Sequence, residues 1–199
     1  MSEAIILIGG GNFEKEETLP FDQKALSLTQ KAQPKVLIIP AAMNDDQGYG
    51  KRLKQYFRKL GAIPTCLRLW HTKLSKAEVH QMFQEADLIY LGAGSTKLLL
   101  EAIRIWELED LLKQCAKEIV VVGISAGANV LCDYGYSDTS KEQCEFIKGI
   151  GIVPCAFTPH AQKTERQHFD EDALFYDGMK IKAHDLEAYI YQNKNLRLL

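Results

Sequence analysis

"VVVGISAGANV", residues 120–130, changes character in the middle. The valines at 120–122 favour an extended strand, the residues at 126–130 are mostly small, and a single hydroxyl, Ser125, stands at the change. A strand that turns directly into a helix is the unit from which parallel α/β sheets are built. Residues 123–127, "GISAG", also satisfy G-x-S-x-G in the strand–turn–helix context that pattern requires. Two readings follow for the serine. Either Ser125 is a nucleophile lifted by a strained turn, with the Ala126 N–H turned toward an oxyanion, or it caps the helix, which serine does well.

Similar strand-like runs recur along the chain: "AIILIGGG" (4–11), "PKVLIIPAA" (34–42), "CLRLW" (66–70), "DLIYLGAG" (87–94) and "EIVVVGISAG" (118–127). Amphipathic stretches separate them: "DQKALSLTQKA" (22–32), "YGKRLKQYFRKLG" (49–61) and "SKAEVHQMFQEA" (75–86). In the second, Leu53, Tyr56, Phe57 and Leu60 repeat at helical spacing, and Gly61 stands where a helix ends. Strands apolar on both faces and alternating with helices predict a mainly parallel sheet covered on both sides. The last third, with "IKGIGIVPCAFTPHAQ" (147–162) and a hairpin expected around residues 193–195, reads as completing one domain over 1–199.

The size of the chain, 199 residues with 46% hydrophobic and 25% charged, suits one well-buried globular domain. A formal charge of −2 supplies no basic field for capturing nucleic acid or an anionic membrane. No run approaches the roughly 20 apolar residues of a membrane span, and the N-terminus lacks the pattern of a secretory signal. Five scattered cysteines without metal-ligand spacing fit reduced thiols in the cytoplasm.

In open parallel sheets the ligand site lies beyond the carboxyl ends of the strands. Residues 9–12, 41–46, 92–96 and 123–129 should therefore wall one crevice. Gly9-Gly10-Gly11 lacks the Lys-Ser/Thr of a phosphate loop and the spacing of a dinucleotide fingerprint, so a tight turn is favoured there over nucleotide binding. A nucleophilic serine needs a base. His71, His80 and His168 stand in polar or helical surroundings, whereas His160 follows Pro159 at the end of a strand-like run, as a base or as a surface-turn histidine. The base needs a carboxylate to fix its tautomer. Asp133, Asp138, Asp185 and Glu187 are all candidates.

Taken together, "GISAGANV" (123–130), "GYSDT" (135–139), "FTPH" (157–160) and "LGAGSTKLLL" (91–100), with "IILIGGG" (5–11) and "LIIPAA" (37–42), resemble the S51 serine peptidases, the dipeptidase E and cyanophycinase-like group. The resemblance implies a three-layer α/β sandwich of the class I glutamine amidotransferase-like, flavodoxin-like type. It implies Ser125 as nucleophile, His160 as base, and Asp185, with Glu187 second, as the acid; a one-residue shift would place Leu186 there. It further implies an oxyanion hole from the N–H groups of Ala126 and Gly94, with Ala93 as a further N–H donor. Ser95, Thr96 and Asn129 would lie toward a small peptide substrate. No metal or cofactor is expected. Ala93 replaces a glycine of the family's loop, which would strain the turn if that position needs positive φ. Ala161 replaces an aromatic residue, and residues 161–177 form a short segment. An esterase of the α/β-hydrolase type and a catalytically weak binding homologue are the rival expectations.

Overall fold

The computed structural model describes residues 4–138 and 143–199. Thr139 of "GYSDT", the change of texture at Ser140, and the first three residues lie outside the described residues. The first strand, β1 (Ala4–Ile8), is fully buried. Its side chains alternate between two cores, Ile5 and Leu7 facing one and Ala4, Ile6 and Ile8 the other. Successive strand residues point to opposite faces, so an uninterrupted apolar run is what a strand buried on both sides requires.

Helices α1 (Leu19–Leu28) and α2 (Gln47–Lys59) flank β2 (Lys35–Ile39). They cover the Ile6 face: Ala25 of α1 and Leu53, Tyr56 and Phe57 of α2 pack into that core. The helix α2 ends as its sequence predicts, with Gly61 at φ +87 just beyond it. After β3 (Ile63–Cys66) come α3 (Lys76–Gln84), β4 (Leu88–Leu91), α4 (Thr96–Ile105), α5 (Glu109–Cys115), β5 (Val120–Ile124) and α6 (Ala126–Leu131). Val79, Phe83, Leu99, Leu100, Ile103 and Leu112 from these helices fill the core on the Ile5 face. The result is a three-layer α/β sandwich. Ser75 and Glu78 form a capping box at the start of α3, satisfying two otherwise orphaned donors.

The third strand is not the "CLRLW" run but the preceding "IPTC". It lies at the edge of the sheet, paired only with β2, where Pro64 and an exposed Ile63 are tolerated. Leu67 and Leu69 are buried, but in the loop that follows.

Helix α6 passes without a break into β6 (Cys132–Asp138), which pairs with β7 (Cys144–Lys148) and β8 (Val153–Thr158), and β8 pairs with β9 (Met179–Lys182). These four strands form a second sheet that the sequence reading does not anticipate. The chain then returns to the main sheet through β10 (Ala188–Gln192) and β11 (Asn195–Leu198), an antiparallel hairpin added beside β1. Its turn places Asn193 and Lys194 at φ 52 and 60, the left-handed pair of a type I′ turn. The main sheet runs β11-β10-β1-β5-β4-β2-β3. No helix among the described residues is long and apolar enough to cross a membrane.

Candidate active site

The central strands β1 and β5 are neighbours, and their carboxyl ends carry Gly9-Gly10-Gly11 and Ser125. Ser125 adopts φ 52, ψ −106, a conformation that costs a non-glycine residue about 1–3 kcal/mol. The surroundings impose it: the Ser125 N–H donates to Ile8 O at 2.9 Å, and its carbonyl accepts from Asn129 N at 3.0 Å. The glycines on either side allow the close packing. A Cβ on Gly123 would stand 2.4 Å from the Gly127 carbonyl carbon, and one on Gly127 would stand 2.2 Å from Leu91 O. Although Ser125 occupies the N-cap position of α6, its hydroxyl makes no capping bond. It faces His160 instead, with Oγ 2.9 Å from Nε2.

His160 leaves the end of β8 with φ 53, anchored by its N–H to Gly9 O at 3.1 Å. Its Nδ1 lies 2.5 Å from Asp185 Oδ1. That contact assigns the proton to Nδ1 and leaves Nε2 free to accept from the serine. Burial holds the imidazole below its usual value of 6.5, outweighing the opposing pull of the Asp185 charge, so the ring is neutral near pH 7.

Asp185 sits in the turn between β9 and β10, beside Leu186, which has φ 65 and donates its N–H to Gly10 O at 3.1 Å. Glu187 points elsewhere: its carboxylate accepts from His184 N at 3.0 Å and closes the turn. Asp133 accepts from Tyr176 Oη at 2.6 Å, and Asp138 pairs with Arg166 at 2.6 Å. Of the four candidate carboxylates, Asp185 is the one at hydrogen-bond distance from His160.

Sequence reasoning missed Gln162. Its Nε2 donates to Asp185 Oδ2, and its Oε1 accepts the Asp185 N–H at 3.0 Å. The acid is thus held at both its side chain and its backbone. Only folding brings the two residues together, across 23 positions of chain, so no local pattern marks the pair.

The glycine run fits this assembly. A Cβ on Gly10 would fall 1.9 Å from Asp185 Oδ1 and 2.5 Å from His160 Cε1. Gly10 therefore leaves the space that the His160–Asp185 pair occupies.

The loop after β4 divides its roles differently from the expectation. Ala93 is not among the residues with positive φ; Gly94 takes that conformation, at φ +133, pressed so close to the loop after β2 that a Cβ would lie 2.3 Å from Ala42 O. The strain expected at Ala93 therefore does not arise. Its N–H is already engaged, donating to Tyr49 Oη at 3.1 Å. The Ser95 N–H donates to Ala42 O at 2.8 Å, and the Ser95 hydroxyl accepts from Leu98 N to cap α4. Thr96 and Asn129 are buried, joined by a bond of 3.2 Å from Asn129 Nδ2 to Thr96 Oγ1. They brace α4 against α6 beneath the serine. Gly94 is exposed, and Ala126 opens the first turn of α6, where backbone N–H groups have no partner within the helix.

The pattern of Peptidase family S51 matches residues 5–194. Among curated proteins, the chain is 34% identical over 158 residues to the uncharacterized peptidase YgaJ of Bacillus subtilis (strain 168), covering 78% of this chain and 67% of that protein. Among solved structures, it is similar to a protein described as peptidase E from Listeria monocytogenes EGD-e, with a TM-score of 0.72 and 18% identity, over 100% of this chain and 98% of that one. A peptidase from an acI-B1 Actinobacterium has a TM-score of 0.71 at 19% identity, over 100% of this chain and 88% of that one.

Proposed function

The chain belongs to peptidase family S51, and from that premise we propose that it is a serine hydrolase cleaving a small peptide or isopeptide bond through Ser125, His160 and Asp185. The observation that carries this reading is the continuous contact from Ser125 Oγ to His160 Nε2 at 2.9 Å and from His160 Nδ1 to Asp185 Oδ1 at 2.5 Å, built on a strained serine.

As Ser125 Oγ attacks the scissile carbonyl, its proton passes to His160 Nε2. Asp185 keeps Nδ1 protonated and stabilises the imidazolium that forms. The N–H groups of Ala126 and Gly94 receive the negative charge developing on the carbonyl oxygen; one such donor is worth about 3 kcal/mol in related chemistry. Collapse of the tetrahedral intermediate breaks the C–N bond, and His160 returns its proton to the leaving amine. Water then attacks the acyl-enzyme with His160 again as base, releasing the acid and restoring Ser125. The buried imidazole is neutral near pH 7, as a base must be.

One further feature favours the peptidase reading over the esterase. The order Ser125, His160, Asp185 along the chain places the acid last, whereas α/β-hydrolase esterases place it before the histidine. The five cysteines are free, which suits the reducing cytosol where we place the activity.

A panel of dipeptides with Asp, Glu or neutral N-terminal residues tests the function. The expected result is release of free amino acids by the wild type and none by Ser125→Ala. Equal release by both proteins would defeat the proposal.

A further inference from the structure

Away from Ser125, a hollow of about 380 Å³ opens between α2 and the edge strand β3. Lys51, Lys54 and Arg58 line it from the helix and Arg68 from the loop beyond the strand. The three helical cations lie three and four residues apart, hence on one face, where like charges repel. Among the described residues none of the four makes an ion pair. On the neighbouring face of α2, by comparison, Arg52 meets Glu14 at 3.1 Å.

Positive charge exceeds negative in the lining, four cations against one carboxylate, although Arg68 also feels the Asp45 carboxylate. Asp46 is its one acidic lining residue, and that carboxylate is engaged in capping α2 by accepting the Tyr49 N–H at 2.6 Å. At the floor, Gly50 lets the helix approach the strand, since a Cβ there would stand 2.8 Å from Cys66 Sγ. Burial pushes the Cys66 thiol up to about 11, so it contributes no negative charge. Arg68 is fixed by its Nε donating to Asp45 O at 3.0 Å, which leaves the outer guanidinium nitrogens as a fork for paired anionic oxygens. A chain with formal charge −2 thus gathers four cations in one concavity of ligand size.

We propose that this hollow binds a small polyanion carrying two or more phosphate or carboxylate groups. The site is independent of the peptidase chemistry. Calorimetric titration at low salt with tripolyphosphate in one arm and citrate in the other tests it and distinguishes the two oxygen chemistries. The expected result is binding of at least one anion with a dissociation constant below about 1 mM, weakening as salt is added. The double variant Lys54→Met/Arg58→Met should lose at least tenfold, while Lys113→Met/Lys117→Met, in α5 and the turn after it, should bind as the wild type does. Both pairs are surface changes, and matched melting temperatures check their folding. No binding of either anion, or an equal loss in the Lys113/Lys117 pair, would overturn the proposal.

Discussion

Ser125 Oγ and His160 Nε2 lie 2.9 Å apart although the two residues are launched from different sheets. Ser125 follows β5 of the seven-stranded sheet, and His160 follows β8 of the four-stranded one. Asp185 lies in the turn by which the chain passes from the second sheet back to the first. The Gly9-Gly10-Gly11 turn ties them together through backbone bonds to His160, Leu186 and Glu187. The three side chains therefore meet only when the two sheets are correctly joined.

The division of labour between the two late acids is testable by substitution. Asp185→Asn should lower kcat about 10²- to 10⁴-fold, because the imidazole loses its orienting and stabilising carboxylate. Glu187→Gln should leave kcat/KM within about twofold and cost at most about 1 kcal/mol of stability through the turn it closes. Gln162→Ala should fall between them, at about tenfold, since it removes a support of Asp185. Steady-state kinetics and urea unfolding of the three variants check the order.

The proposed mechanism requires a neutral His160, and burial lowers the pKa of that group below 6.5. Activity should therefore rise with pH through an inflection below 6.5 and stay level above it. Asp185 raises the pKa of His160, so Asp185→Asn should move the inflection to lower pH as well as reduce the plateau. The pH dependence of kcat/KM in the free enzyme reads both effects.

Gly10→Ala should fold and yet be impaired. Its Cβ would meet both Asp185 Oδ1 and the His160 ring, side-chain atoms all, so the collision is relieved by turning the carboxylate and the imidazole out of their pairing. A loss of about 10²-fold or more in kcat with a melting temperature near that of wild type is expected. Thermal unfolding alongside kinetics separates this from a folding defect.

A buried carboxyl far from the serine sets part of the pH dependence of stability. Asp22 accepts from Thr18 Oγ1 at 2.7 Å and Tyr56 Oη at 2.8 Å, while its Oδ1 is buried without a partner. Burial raises its pKa from 3.8 to about 6. The folded state then binds this proton more tightly than the unfolded chain, so the stabilisation is complete below pH 3.8 and is lost as pH rises to about 6. The loss is roughly 3 kcal/mol. Asp22→Asn should flatten it, as urea unfolding at pH 4.5 and pH 7 would show.

Much of this was legible where local chemistry decides the outcome. The apolar runs of β1, β2, β4 and β5 are buried on both faces, and a run of that kind has few alternatives to a covered parallel strand. The G-x-S-x-G turn and the Pro159-His160 lead pointed to two residues that the fold brings into contact. The rest depends on contacts distant in sequence. The β6 strand begins where α6 ends, so neither a glycine nor a loop marks it as a separate element. Asp185 and Glu187 are equivalent in composition, and only the direction of a tight turn separates them. The Ala93 N–H looked available until α2 brought the Tyr49 hydroxyl to it.

In the proposed mechanism everything depends on Ser125 being a nucleophile activated by His160. Intact-mass spectrometry after treatment with a fluorophosphonate tests it most directly. One adduct is expected on the wild type, mapping to Ser125, absent in Ser125→Ala and formed far more slowly in His160→Ala. An unmodified wild type, or an adduct that persists in Ser125→Ala, would contradict it.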